Sequence, residues 1–259
     1  MTERSVSDLD RSLSVNGRSV PEDAPGETRG TPTGTAPATA TDGAPDAASA
    51  TSLATATAPA TAPAPPYVHR QTVGGFGAVA IRPVDADADA DVLHGWVREE
   101  RAAFWGMNGL TRDQVADIYA HMAGLDTHRA FLVELDGAPV ALLQTYEPTA
   151  DRVGDCYDVA PGDLGIHLLL APADARGARS GWSSALMGVL ASYVLLGLDR
   201  SRVVVDPDVR NEKAIARFLR QGFEAGPVVT LPEIDLPDVY LPEKKAQLAF
   251  LRREVAFPA

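Results

Sequence analysis

The chain has a single cysteine, Cys156, so it can form no intrachain disulfide and build no thiolate metal site. A reducing compartment fits that scarcity. Aromatic residues are missing from the whole stretch before Tyr67. Residues 1–66 are Ala, Thr, Pro, Gly and Asp with scattered charge, as in TGTAPATATDGAPDAASATSLATATAPATAPAPP, and carry too little apolar surface to offset the entropy of ordering the chain. They are expected to be a disordered tail. Long apolar runs are absent too. The start, MTERSVSDLDRSLSVNG, lacks the basic-then-apolar order of a secretory signal, and no later stretch reaches the length of a membrane span. A cytoplasmic protein without a membrane partner is expected. Positive charge is sparse: 23 Lys and Arg face 35 Asp and Glu, a formal charge of −12, and nucleic-acid binding needs the opposite balance. That balance does not exclude an anionic small molecule held by a local cluster of donors.

What is present begins at Tyr67. Residues 67–259, roughly 190 of them, suffice for one α/β domain with a sizeable core. Deleting residues 1–65 is therefore expected to leave thermal midpoint and turnover nearly unchanged; a large loss of either would show that the tail docks.

Gly77 to Val84 reads as a first strand, and Asp89 to Glu100 places Val92, Leu93, Trp96 and Val97 at helical spacing. A loop with Phe104-Trp105-Gly106-Met107 follows. Thr111 and Gln114 have the spacing of a capping box, which predicts a helix through Val115, Ile118, Tyr119 and Met122. AFLVEL and APVALLQTY are joined by Asp136-Gly137, a strong hairpin signal. Asp163 to Leu170 is a further strand, and Trp182 to Leu196 a long, mostly buried helix. Arg202 to Val205 reads as a short strand. Asn211 caps a helix from Glu212 to Gln221 that stops at Gly222, and strands Phe223 to Leu231 and Gln247 to Val255 finish the chain. The order is β-α-α-β-β-β-α-β-α-β-β, without internal repeats.

The informative stretch is Leu164 to Leu186: a buried strand, the loop ARGARSG, and a helix N-terminus. Free backbone N–H groups and the helix dipole favour an anion there, and Arg176 and Arg179 add positive charge. The bland alternative is a surface loop with solvated arginines. Together with Asn211, Ala214, Phe218 and Gly222-Phe223, the order of elements resembles the GNAT acyltransferase family over Gly77 to Val255. The resemblance implies an α/β (α+β) domain with a central mixed, mostly antiparallel sheet flanked by helices. It also implies acetyl-CoA or another acyl-CoA as co-substrate, with contacts at Leu169, Leu170, Arg176, Arg179, Ser180, Gly181, Trp182, Ser183 and Asn211. The loop matches the family pattern for the coenzyme A pyrophosphate only in part.

Asp163-Leu164-Gly165-Ile166-His167-Leu168 and Val205-Asp206-Pro207-Asp208-Val209-Arg210-Asn211 resemble the siderophore branch of that family, the acyltransferases of aerobactin, desferrioxamine and mycobactin assembly. The Phe104-to-Met107 run is similar to its hydroxamate-forming members. The resemblance implies catalytic roles for His167 and Asp206. An imidazole, with an ordinary pKa near 6.5, suits removal of a proton from an attacking amine or hydroxylamine. Asp206 either orients that imidazole or holds the acceptor's cationic end, and Asp208 is an equally placed competitor. Phe104, Trp105, Met107 and Asp208 are candidates for the acceptor pocket, although aromatic and Met residues are more often core. Cys156 as nucleophile has no evident partner to lower its pKa. His94, His121 and His128 have no Cys or carboxylate at metal-ligand spacing, so no metal is expected. The expected activity is acyl transfer to the N-hydroxyamine of a lysine, ornithine or cadaverine derivative. Acylation of an ordinary amine, such as an aminoglycoside, and non-catalytic sensing of acyl-CoA are the alternatives.

Overall fold

In the computed structural model the described residues are 66–172, 179–236 and 239–258. The expected tail, up to residue 65, and Arg176 lie outside them. In chain order the elements are β1 (His69–Val73), β2 (Gly77–Pro83), α1 (Ala90–Val97), α2 (Arg112–Ala123), β3 (His128–Leu135) and β4 (Ala138–Tyr146). There follow β5 (Asp163–Leu170), α3 (Trp182–Ala191), β6 (Arg202–Val205), α4 (Glu212–Arg220) and β7 (Glu224–Leu231). β8 (Ile234–Leu236), β9 (Val239–Leu241), β10 (Lys244–Arg252) and α5 (Arg253–Ala256) complete the set. Eight strands form one mostly antiparallel sheet in the order β1-β2-β3-β4-β5-β6-β10-β7, with β8 and β9 as a separate two-stranded ribbon.

Local chemistry sets the joints. Thr111 Oγ1 accepts from the Gln114 N–H at 3.3 Å, while Gln114 Oε1 accepts from the Thr111 N–H at 2.9 Å, closing the expected capping box at α2. Asp136 and Gly137 both have positive φ, 50° and 81°, as a tight β3–β4 hairpin requires. Asn211 Oδ1 caps α4 by accepting from the Ala214 N–H at 3.1 Å.

Side chains alternate across the sheet. Phe131, Val133, Leu143, Leu164 and Ile166 pack on one face with Leu186, Leu190 and Tyr193 of α3 and its continuation. Leu132, Leu142 and Leu169 pack on the other with Leu93, Val97, Val115, Tyr119 and Met122 of α1 and α2. Arg82 joins elements of this layer, donating to both carboxylate oxygens of Asp89 at 2.7 and 2.8 Å and to Glu134 at 2.8 Å.

Some elements differ from expectation. The strand β1 was hidden because HRQTV has three exposed residues in its middle and no apolar alternation. The long helix changes after Ala191 into a π-helical segment, Ser192–Gly197. β10 starts earlier than expected and stops at Arg252, whose partner Arg202 is where β6 begins; α5 takes the place of further strand. No helix among the described residues is long and apolar enough to cross a membrane.

One irregularity positions the site. β5 and β6 are parallel, and they pair only at Asp163↔Arg202, Leu164↔Val203 and Gly165↔Val204. The Asp163–Arg202 ion pair, at 2.6 Å, clamps that closed end. Beyond it β5 stays paired with β4 out to Leu170, whereas β6 ends at Val205. The two strands therefore splay apart.

Candidate active site

The splay opens into a cleft of about 1260 Å³, lined by the second half of β5, the segment after β6, the starts of α3 and α4, and the loop before α2. Clefts at the carboxyl ends of parallel strands are common ligand sites. His167 sits on β5 opposite Gln144 of β4, and its side chain is 25% exposed at the cleft wall. Asp206 follows β6 directly and is buried. Their approach is close: His167 Nε2 lies 3.2 Å from Asp206 Oδ1, and His167 Nδ1 makes a longer 3.4 Å contact with Gln144 Oε1.

Two further groups converge on Asp206. Tyr146 donates its hydroxyl to Oδ1 at 2.9 Å, and the Lys244 ammonium donates to Oδ2 at 2.6 Å. Burial alone would push the Asp206 carboxyl up, but the charge of Lys244, then that of His167 whenever the ring is protonated, outweigh it and hold the group well below the usual carboxylate range. It is an anion at neutral pH. Burial, and next the Asp206 charge, push the Tyr146 phenol well above its ordinary value, so it keeps the proton that it donates. The Tyr146 ring is 4.9 Å from the His167 ring and stacks on His128. Gly165 makes room for it: a Cβ there would lie 2.1 Å from the Tyr146 ring.

The other expected site residues divide. Trp105 and Phe104 line the cleft, with Trp105 edge-on to His167 at 6.2 Å. Met107 does not; it is fully buried, packed in the core with α1 and α2, and the expectation that it contacts an acceptor is corrected. Its apolar side chain fills that layer instead. Asp208 is occupied by Arg210, which donates to both of its oxygens and holds its carboxyl below the ordinary value, while the Arg210 guanidinium lies over the Phe104 ring. Asp206, not Asp208, is thus the carboxylate beside the imidazole.

Leu169 and Leu170 border the cleft, as do Trp182 and Ser183 at the start of α3 and the capping residue Asn211. Leu170 also offers its carbonyl to the Arg101 guanidinium. Gly181, at φ 82°, enters α3 without any side-chain cap, and Ser180 is exposed beside it. Arg179 turns to the β1–β2 turn, donating to the Gly75 and Phe76 carbonyls at 2.9 and 2.6 Å. A cation that the sequence did not single out faces the cleft from α4. Arg217 is half-buried, and among the described residues no carboxylate lies within ion-pair distance of it. Burial and then Arg220 lower its pKa. Cys156 is raised by burial, and its thiol lies against the Arg152 and Thr230 carbonyls. Among the described residues no group of three His, Cys, Asp or Glu is arranged to hold a metal ion.

A family model described as an acetyltransferase (GNAT) domain matches residues 85–231. The chain belongs to the GNAT acetyltransferase family. It is 30% identical over 162 residues to the N(6)-hydroxylysine O-acetyltransferase of Escherichia coli, covering 61% of this chain and 49% of that protein. It is 29% identical over 143 residues to the N-hydroxyputrescine acetyltransferase of Acinetobacter baumannii, covering 55% of this chain and 64% of that one. The chain thus spans 49% and 64% of the length of these two relatives. Among solved structures, the aminoglycoside acetyltransferase AAC(6')-Ib in complex with coenzyme A superposes with a TM-score of 0.52 at 23% identity, covering 69% of this chain and 96% of that one. That likeness is one of fold.

The start of α3 and the half-buried Arg217 guanidinium share the cleft wall. Tyr146, Gln144, Lys244 and Arg217 were missed in the sequence. Register pairs Gln144 with His167 and Tyr146 with Gly165, so a correct β4–β5 alignment alone would have found the first two. No sequence signal marks Lys244, which is brought across the sheet by β10. Gly165→Ala is expected to push the Tyr146 ring off Asp206, costing about 1–3 kcal/mol as overpacked cores do. Thermal unfolding reads that loss, and an unchanged midpoint would mean that the ring yields freely.

Proposed function

We propose that the protein is an acyl-CoA-dependent N-acyltransferase that transfers an acyl group, most simply acetyl, to the terminal N-hydroxyamine of a lysine, ornithine or cadaverine derivative, as in hydroxamate siderophore assembly. The observation that carries this reading is the imidazole of His167 at the mouth of the β5–β6 splay, backed by the buried Asp206 carboxylate. Residues 67–259 form the acyltransferase domain, and residues 1–66 a dispensable tail.

In this reading the first N–H groups of α3 and the Arg217 guanidinium hold the co-substrate's phosphates. The edge of β5 past Gly165, released from β6, offers backbone N–H groups to the developing oxyanion. The acceptor nitrogen attacks the thioester carbonyl, and His167 takes the proton that the nitrogen loses. The carbon–sulfur bond then breaks, and the thiolate leaves as coenzyme A after gaining a proton. Asp206 holds the imidazole in place and stabilises its charged form. Phe104 and Trp105 wall the acceptor side. The relatives named for N-hydroxylated amines support the acceptor class.

A matrix of acyl-CoAs against N-hydroxylated and plain amines, followed by free-thiol release, tests the reading. Thiol release that is fast with N-hydroxyamines and slow with the parent amines is the expected result. A relative named aminoglycoside N(6')-acetyltransferase from Serratia marcescens, 26% identical over 172 residues, supports one second reading, acylation of an ordinary small amine, which the same matrix would reveal.

A further inference from the structure

Asp206 is one carboxylate shared between a permanent cation and a switchable one. Its side chain is 3% exposed; Lys244 holds Oδ2 at 2.6 Å, and His167 Nε2 lies 3.2 Å from Oδ1. We infer that Lys244 is a positioning residue for His167: by compensating the charge of Asp206, it limits how strongly that carboxylate favours a proton on the imidazole it faces, so that the ring can serve as a base. The inference rests on the reading of His167 as general base.

The environment leaves few other groups able to tune the ring. β4 presents Gln144 and Tyr146, the loop before α2 presents Trp105, and the end of β6 presents Asp206. β10 presents Lys244 through Asp206. Behind them, the segment after β4 contributes Asp151 and Arg152, whose charges reach Tyr146 and Asp206. The phenol retains its proton and Gln144 does not titrate. The Lys244 charge also reaches Asp208, which is itself paired with Arg210. Among the described residues, Lys244 is thus the cation in direct contact with the carboxylate that the imidazole faces. Because Asp206 is buried, solvent and salt screen the pairing weakly. An uncompensated carboxylate within about 4–6 Å favours the charged form of its neighbour by roughly 1–3 pH units. Without Lys244 the imidazole would become the carboxylate's balancing cation. It would hold its proton to higher pH, and a protonated ring cannot accept another.

The test is the pH profile of kcat/KM for wild type, Lys244→Met, Lys244→Gln, Lys244→Arg and His167→Ala, with thermal midpoints recorded for each. The Met variant is expected to move the acid limb up by about one unit or more, which lowers activity roughly 10-fold on that limb. The loss should be much smaller on the alkaline plateau than on the acid limb, with the KM for acyl-CoA little changed. Gln, which keeps a hydrogen bond to Asp206 but not the charge, should give the same shift if Met costs too much stability. Arg should restore the wild-type limb. A limb that depends on His167 but stays in place in the Met and Gln variants overturns the inference about Lys244 alone. A wild-type profile with no limb that His167→Ala removes overturns the general-base reading beneath it.

Discussion

His167→Ala is expected to lower kcat by roughly 10²-fold or more while leaving acyl-CoA affinity nearly unchanged, the pattern for loss of a general base rather than a binding group. The physical ground is the position of the ring. It lies at the wall of the cleft, partly exposed, with Asp206 behind it and Gln144 and Tyr146 at its sides. The phosphate-binding candidates, Arg217 and the start of α3, are separate side chains on other elements, so truncating the imidazole leaves them in place. The neighbours extend the test. Asp206→Asn should be impaired far more than Asp208→Asn, because Asp206 touches the imidazole whereas Asp208 is engaged by Arg210. Steady-state rates with acyl-CoA titrations decide it. Equal activity of wild type and His167→Ala across pH would remove His167 from the mechanism.

A preference of roughly 10²-fold in kcat/KM, or about 2.7 kcal/mol, is expected for an N-hydroxyamine over its parent amine. An alkylamine of the lysine kind, with an ordinary pKa of about 10.4, is almost wholly protonated at neutral pH and must shed a proton before it can attack. A hydroxylamine is far less basic and arrives uncharged. Asp206 and Asp208, the buried carboxylates nearest His167, are already matched by Lys244 and Arg210, so neither is left to pair with an ammonium there. A buried polar partner for the N–OH would add to the preference, since the amine leaves that partner unsatisfied. His167→Ala should retain more activity with the hydroxylamine, which has less need of proton removal. If cadaverine or lysine is acylated as fast as its N-hydroxy form, acylation of ordinary amines becomes the better reading.

Much of the architecture was legible because its signals are local. The Thr111 capping box, the Asp136-Gly137 hairpin, the Asn211 cap and the bounds of β5 each depend on neighbours a few residues apart, and each stands where the sequence placed it. Elements without such signals were lost or displaced. β1 is an exposed edge strand, and the β8–β9 ribbon is three residues to a strand. The site was legible in its centre and not in its supports. His167 and Asp206 stand out by residue type in short motifs. Lys244 and Tyr146 are an ordinary surface-type cation and a strand aromatic until the sheet brings them to one carboxylate.

The sequence by itself determined that a chain rich in amphipathic periods after Tyr67 would fold as an α/β layer system with an acidic surface. Periodicity, caps and turn residues act over one or two turns of chain, and they suffice to choose elements. Only the tertiary structure decided what the elements do together. It paired β5 with β6 for three residues and then released them, so that a cleft exists at all. It sent Arg179 to the β1–β2 turn, moved Met107 into the core and turned Arg217 toward the cleft. It also set Lys244 and Asp206, 38 residues apart, at 2.6 Å. Electrostatic pairing depends on distance and burial rather than on spacing along the chain, and neither is encoded in any short stretch of residues.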